Sequence, residues 1–299
     1  MTLTAVTVIS DVDDIELLRR SFQSYEPYVD EIIVGNNNMS YEHKDAVQSS
    51  KVRMVDVQNT AYVELVRQKL HEGVTTDFIL VIDPDEVVSG GLIDELKELG
   101  KQYSFIRIPR KNIIFDKWIE HSRWWPDFQL RFFRKGSVTW AQKLHSVPMT
   151  SGEGYDMPIR EENAITHLNY TTIDQYLSKM FRYAKAEAHE KINNENYSVL
   201  IAIKQGLDEF SSRYYFAQGY KDGMHGFVLS ILQMFNAFLV YFYWWEEKKH
   251  VYEEKHLHSA PYSFFKDGLK NVLFWSEHEH LKQDQLPHLY KKIVNKFLK

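Results

Sequence analysis

At 299 residues, 44% hydrophobic and 26% charged, the chain has the composition of a folded protein with room for one substantial core and an appendage, which excludes intrinsic disorder. Its net charge of -5 comes with no long basic run, so no nucleic-acid partner is expected. The absence of cysteine excludes disulfides and thiolate metal sites and fits a reducing cytosol.

The opening "MTLTAVTVISDVDD" has no basic segment followed by a long apolar core, so no signal peptide is expected. "TAVTVIS" reads as a strand, and residues 13–25 as a helix with Ile15, Leu17, Leu18 and Phe22 on its apolar side. "VDEIIVG", ending at Gly35, and "KVRMVDV" are the next strands; residues 60–72 form a helix and "FILVID" the fourth strand. This alternation predicts a parallel sheet wrapped by helices, an α/β architecture whose ligands sit beyond the carboxyl ends of the strands. "GLIDELKELG" predicts a short helix closed by Gly100, "YSFIRIPRKNIIF" one or two strands, and "FQLRFFRKGSVTW" two strands about a turn at Lys135-Gly136. From Thr172 the pattern is helical, over 173–190, 197–210 and an uncharged run at 227–245, followed by charged segments. The boundary falls near Asn169, giving an α/β domain over 1–169 and a helical region over 170–299. The uncharged run is long enough to cross a bilayer. Ser230, Gln233 and Asn236 interrupt it, and Tyr241, Tyr243, Trp244 and Trp245 crowd one end, which favours a buried or membrane-surface helix.

The stretch "FILVIDPDEVVSG" sets an apolar strand against three carboxylates. On an extended chain Asp83 and Asp85 project to the same side, and Pro84 ends the ladder. Paired carboxylates repel unless a cation lies between them, and Mg²⁺ or Mn²⁺ takes such oxygens with phosphates completing its shell. Glu86 would then orient a ligand from behind. A solvated acidic turn is the plainer alternative. The late histidines His250, His256, His258, His278 and His280 lack the spacing of a helical zinc site and read as a solvated face.

"TTDFILVIDPDEVVS" resembles the D-x-D-E signature of family 2 glycosyltransferases, inverting enzymes with a GT-A fold. "VDEIIVG", "VRQ" at 66–68, "IRIPRKNIIFDKWIEHSRWWPDFQLRFFRKG", "ITHLNYTTIDQYLSKMFRYA" and "RYYFAQGYKDGMHGFVLSILQMFNAFLVYFYWWE" are similar to successive blocks of a bacterial subgroup that builds lipopolysaccharide core and surface glycans. The likeness runs from residue 4 to about 247. It implies transfer of a sugar from a nucleoside diphosphate, a UDP-sugar, to a hydroxyl of a glycan or lipid-linked acceptor, in the cytoplasm or peripherally on the inner face of the membrane. It implies that Asp83 and Asp85 hold a divalent metal on the donor, that Arg67 reaches toward its phosphates or base, and that Asp127 is the general base. Trp124 and Trp125 would stack on a sugar, Arg131 would hold a carboxylate or phosphate, and His145 would be a third metal ligand, with His167 the next histidine in line.

Two departures stand out. Ser146 replaces the glutamate that usually follows the histidine, and "GNNNMS" replaces an acidic run, so Asn36 would meet the nucleoside through hydrogen bonds alone. Asp11 and Asp13 could compensate, with capping by Asp13 or Asp14 the simpler role. A non-catalytic nucleotide-sugar-binding scaffold is therefore an alternative, as is a metal-dependent phosphohydrolase or nucleotidyltransferase, although "VISDVDD" lacks the glycines of a phosphate loop.

Overall fold

β1 (Leu3–Ser10) is buried on both faces along nearly its whole length, as a central strand of a parallel sheet requires. It lies parallel between β2 (Glu31–Asn37) and β4 (Phe78–Val81), with β3 (Val52–Asp56) parallel to β2. β2 runs past Gly35 by two residues. Alternation then sorts the side chains. Leu3, Ala5, Ile9, Ile32, Phe78 and Leu80 pack in one layer with Leu18 and Phe22 of α1 (Ile15–Tyr25) and Leu92 and Leu96 of α4 (Gly90–Leu99). Val6, Val8, Ile33, Ile79 and Val81 face the other layer, with Val66 and Leu70 of α3 (Glu64–Glu72).

The computed structural model describes residues 1–57, 64–140, 148–194, 196–251, 256 and 258–278. α1 starts at Asp14, whose side chain accepts from the amides of Glu16 and Leu17, while Asp13 binds Ser10 instead. α2 (Tyr41–Ala46), capped by Ser40, is too short to show a helical period in the sequence.

Beyond β4 the sheet turns antiparallel. β8 (Asp127–Arg134) pairs with β4, and β6 (Phe105–Ile114), a single ten-residue strand, pairs with β8. β12 (Ile165–Tyr170) and β5 (Glu86–Val87) extend it to the order β3-β2-β1-β4-β8-β6-β12-β5. β7 (Lys117–Trp118) pairs antiparallel with β6, and β11 (Gly154–Asp156) pairs with it in parallel. The strand after the Lys135-Gly136 turn is β9 (Val138–Thr139), which joins β10 (Met149–Thr150) in a separate ribbon. The architecture is α/β, a mixed sheet whose first four strands are parallel.

The described chain forms two units, Met1–Trp118 with Trp124–Asn169, and Ile119–Arg123 with Tyr170–Lys299. The second contains α5 (Ile173–Glu190), α6 (Val199–Ser211), α7 (Met224–Glu247) and α8 (Ser259–His278). α7 approaches its own lead-in so closely that a Cβ on Gly226 would stand 1.8 Å from the Gly219 carbonyl oxygen. Leu229, Leu239, Val240, Tyr241 and Trp244 of α7 are buried, while Phe235, Phe242 and Trp245 are exposed. Among the described helices it is the one long and apolar enough to cross a membrane, with a mean hydropathy of 1.6 over its most apolar window, a third of which is buried.

His71 was not singled out by its sequence setting. It is buried edge-on between the rings of Phe133 and Trp140, and neither ring nitrogen has a hydrogen-bond partner. Burial, helped by the nearby Arg67 charge, pushes it down to about 3. The unfolded chain protonates this ring near its ordinary value of about 6.5, so between there and about 3 the unfolded state binds the extra proton and stability falls as pH falls. Urea titrations should show a slope of up to about 1.4 kcal/mol per pH unit in that window, and His71→Leu should remove it; a variant with the parent's slope would show that this ring is not the source.

Candidate active site

β4 delivers the acidic cluster, but not as an extended pair. The strand ends at Val81, and the Glu86 amide bonds the Asp83 carbonyl at 3.0 Å, turning the chain through Pro84 and Asp85. The expectation that Asp83 and Asp85 point together at one ligand is thereby corrected. The turn sends each to different partners.

Asp83 accepts from Arg67 at 2.7 Å through Oδ1 and from Arg131 through Oδ2. The same terminal nitrogen of Arg131 reaches Oε1 of Glu86 at 2.5 Å, and Arg110 approaches that oxygen at 3.3 Å. Glu86 Oε2 accepts the Asp83 amide at 3.0 Å. Glu86, read from the sequence as an outer residue behind a metal, is instead fully buried as the joint between two arginines. Arg110 continues with two bonds to Oδ2 of Asp127, at 2.8 and 2.6 Å, where Asn112 adds a third at 3.2 Å. Gln129 donates to Asp127 Oδ1 at 2.7 Å. β4, β5, β6, β8 and α3 thus each supply part of one continuous polar chain.

Burial works to raise the Asp83 carboxyl, and the Arg131 and Arg67 guanidiniums override it, holding it far below the usual carboxylate range. Burial opposes Arg110 in the same way at Asp127, which is also held low. Asp13 is shifted the other way: burial raises it against its bonds from Ser10, and the neighbouring Asp85 charge adds to the rise.

The far end of the polar chain is different in kind. Asn112 gives its amide hydrogens to the Trp124 carbonyl and to Asp127, so its oxygen faces His167 Nδ1 at 2.7 Å and that nitrogen carries the hydrogen. A neutral His167 therefore turns the Nε2 lone pair toward Asp85 Oδ2, 3.2 Å away. Two facing acceptors call for a proton or a cation between them. The spacing suits adjacent ligands of one octahedral ion, whose edge is roughly 3 Å for bonds near 2.1 Å. Asp85 and His167 are therefore the residues that would hold a divalent metal, whereas both oxygens of Asp83 already accept from guanidiniums. No group of three histidine, aspartate or glutamate side chains able to hold an ion is formed among the described residues, and the expected third ligand, His145, lies outside them with Ser146.

Arg67 is not a surface helix arginine: only 14% of its side chain is exposed. With Arg131, Gln129, Phe128 and Trp140 it lines a cleft of about 970 Å³. Arg131 Nε is buried there without a partner. Trp125 packs edge-on against Trp118 and Trp124 is half-buried, its carbonyl holding Asn112. Asn36 donates its amide to Asp56 and accepts from the Met39 amide through its oxygen, so its side chain orders the end of β2. Asn38 holds Asp11. Sequence reading passed over Arg110, Asn112 and Gln129. Their signal was alternate polar positions on strands otherwise apolar.

No protein-family model matches the chain. Solved structures of similar fold include Staphylococcus aureus TarS 1-349, with a TM-score of 0.42 at 10% identity over 93% of this chain and 92% of that one. A second S. aureus TarS structure gives 0.37 at 10% identity over 66% of this chain; the chain spans 41% of its length. The bifunctional IspDF of Campylobacter jejuni gives 0.39 at 13% identity over 58% and 54% of the two chains. These are likenesses of chain path, and the chemistry has to be read from the side chains.

Arg131→Ala would leave Asp83 to Arg67 alone and the buried Glu86 to Arg110 at 3.3 Å, and should cost about 3–5 kcal/mol in urea unfolding. Because the folded pKa values of Asp83 and Asp127 are depressed, their stabilisation is complete above about pH 4 and is lost as pH falls below it. The acid limb of the variant's stability curve should be correspondingly shallower; a parental limb would show that Arg131 does not hold Asp83 in solution.

Proposed function

We propose that the chain is a metal-dependent glycosyltransferase that moves a sugar from a nucleoside diphosphate, a UDP-sugar, to a hydroxyl of a glycan or lipid-linked acceptor in bacterial surface-polysaccharide assembly in the cytoplasm. One observation carries this reading: the Asp85–His167 pair, two acceptors 3.2 Å apart, standing at the end of an arginine-carboxylate chain at the carboxyl edge of a parallel sheet.

Charge supports it. Arg67, Arg110 and Arg131 are set against Asp83, Asp85, Glu86 and Asp127, so the cluster carries one net negative charge with His167 neutral. A bare diphosphate would be repelled there, and one accompanied by a divalent cation would not. When bound, Mn²⁺ or Mg²⁺ would neutralise charge on the leaving diphosphate. The chain's own residues do the rest. Asn112 fixes the His167 ring so that its lone pair is presented, and Arg67 and Arg131 hold Asp83 in place.

Asp127 is the base in this reading. Arg110 keeps it ionised at neutral pH and fixes Oδ2, leaving Oδ1, which Gln129 shares, to take the acceptor proton. The same four donors lower its basicity, which favours a second reading: a binder of nucleotide sugars without turnover. UDP release from a panel of UDP-sugars with Mn²⁺ separates the two, since metal-dependent UDP binding without turnover of any donor identifies the binder.

Asp85→Ala and His167→Ala should each abolish Mn²⁺-dependent UDP binding in calorimetry, and undiminished affinity in both would remove the metal assignment. Asp127→Asn should retain donor binding and lose roughly 10² or more in kcat. Parental turnover would leave Asp127 only the task of placing Arg110.

A further inference from the structure

In the helical unit, α8 leaves an ordered apolar stripe uncovered. Tyr262, Phe265, Leu269 and Val272 follow one another at spacings of three, four and three, which puts them on one side of the helix, and all four are exposed, Phe265 at 73% and Tyr262 at 63%. A shallow apolar groove of about 240 Å³ is lined by Phe265, Leu269 and Val272 with Leu207 of α6 and Ile231 and Met234 of α7, and α7 itself exposes the rings of Phe235 and Phe242. Trp245 stands exposed near the end of α7. So many large apolar groups on neighbouring helices exceed the isolated exposed residues of an ordinary surface.

The exposed charges beside the stripe on α8 are lysines, with Asp267 half-buried between them. Lys266 and Lys270 flank it on α8, both exposed, and Lys266 lies over the Tyr262 ring at 5.0 Å. Lys248 and Lys249 follow α7, and Glu246 is the exposed acid beside them. An aromatic-rich stripe edged by lysines is the pattern of a helix lying in the plane of a bilayer surface, with rings at headgroup depth and ammonium groups on anionic phosphates. Protein–protein interfaces, by contrast, are depleted in lysine. α8 would lie along the surface for about 30 Å.

We propose that the α7–α8 face docks on an anionic lipid surface. This stands apart from the transferase reading, because it concerns the helical unit alone and its test reads partitioning, not turnover. The full chain is mixed with vesicles of phosphatidylglycerol and phosphatidylcholine in equal parts, or of phosphatidylcholine only, and floated on a density gradient. The protein should rise with the mixed vesicles and be released by salt. Lys266→Glu with Lys270→Glu should weaken that binding on the order of tenfold or more, and Phe265→Asp with Leu269→Asp should abolish it. All four positions are already exposed, and an unchanged thermal midpoint confirms the fold of each variant. Failure of the parent chain to float, or parental flotation of both variants, overturns the proposal. So does a concentration-dependent dimer, seen by sedimentation without vesicles and dissolved by the Phe265→Asp/Leu269→Asp change, which would assign the face to a second copy.

Discussion

Arg131 is the group on which the site depends. Its side chain is 3% exposed, and a guanidinium so placed is tolerable only because Asp83 and Glu86 meet it directly. Three strands converge to arrange this: β8 carries the arginine, the turn after β4 carries Asp83, and β5 carries Glu86. Because Glu86 also meets Arg110, the charge compensation extends to Asp127 on the neighbouring register of β6 and β8, where Arg110 and Asp127 face each other directly. The carboxylates closest to the parallel half of the sheet are thus held by cations of the antiparallel half. The join between the two kinds of pairing is where the chemistry is assembled.

That arrangement divides the acidic motif by role. Asp83 is an anchoring carboxylate, while Asp85, two positions further, meets a histidine whose tautomer is set by Asn112. Residues separated by a single proline therefore do different work. The alternation rule for strands placed them together because it assumes that the strand continues, and Pro84 ends it.

Much of the scaffold was legible in the sequence. β1, β2 and β4 are buried on both faces, so their apolar runs announce themselves, and Asp14 marks a helix start by the chemistry of its side chain. Arg67, Arg131 and Asp127 were read as site residues from family resemblance, and they fall in one network. Their partners were not legible, because Arg110, Asn112 and His167 are brought to Asp127 and Asp85 only by pairing between strands far apart in the chain. β5 and β7, at two residues each, carry no periodic signal at all. Asn36, expected to meet a nucleoside, is bonded to Asp56 and to the Met39 amide, partners that its sequence setting does not name.

The short segment Ile119–Arg123 belongs by its contacts to the helical unit, although it is spelled out between two strands of the sheet. Its anchors are the Asp222 carboxylate, which accepts the His121 amide at 2.9 Å across a sequence separation of 101 residues, and the Arg213 carbonyl, which accepts from Ser122 Oγ. On the ribosome this segment emerges long before either anchor exists. The central sheet can close behind it, but the loop itself must wait in water until the last third of the polypeptide has been synthesised, which makes its capture a late event in the maturation of the chain.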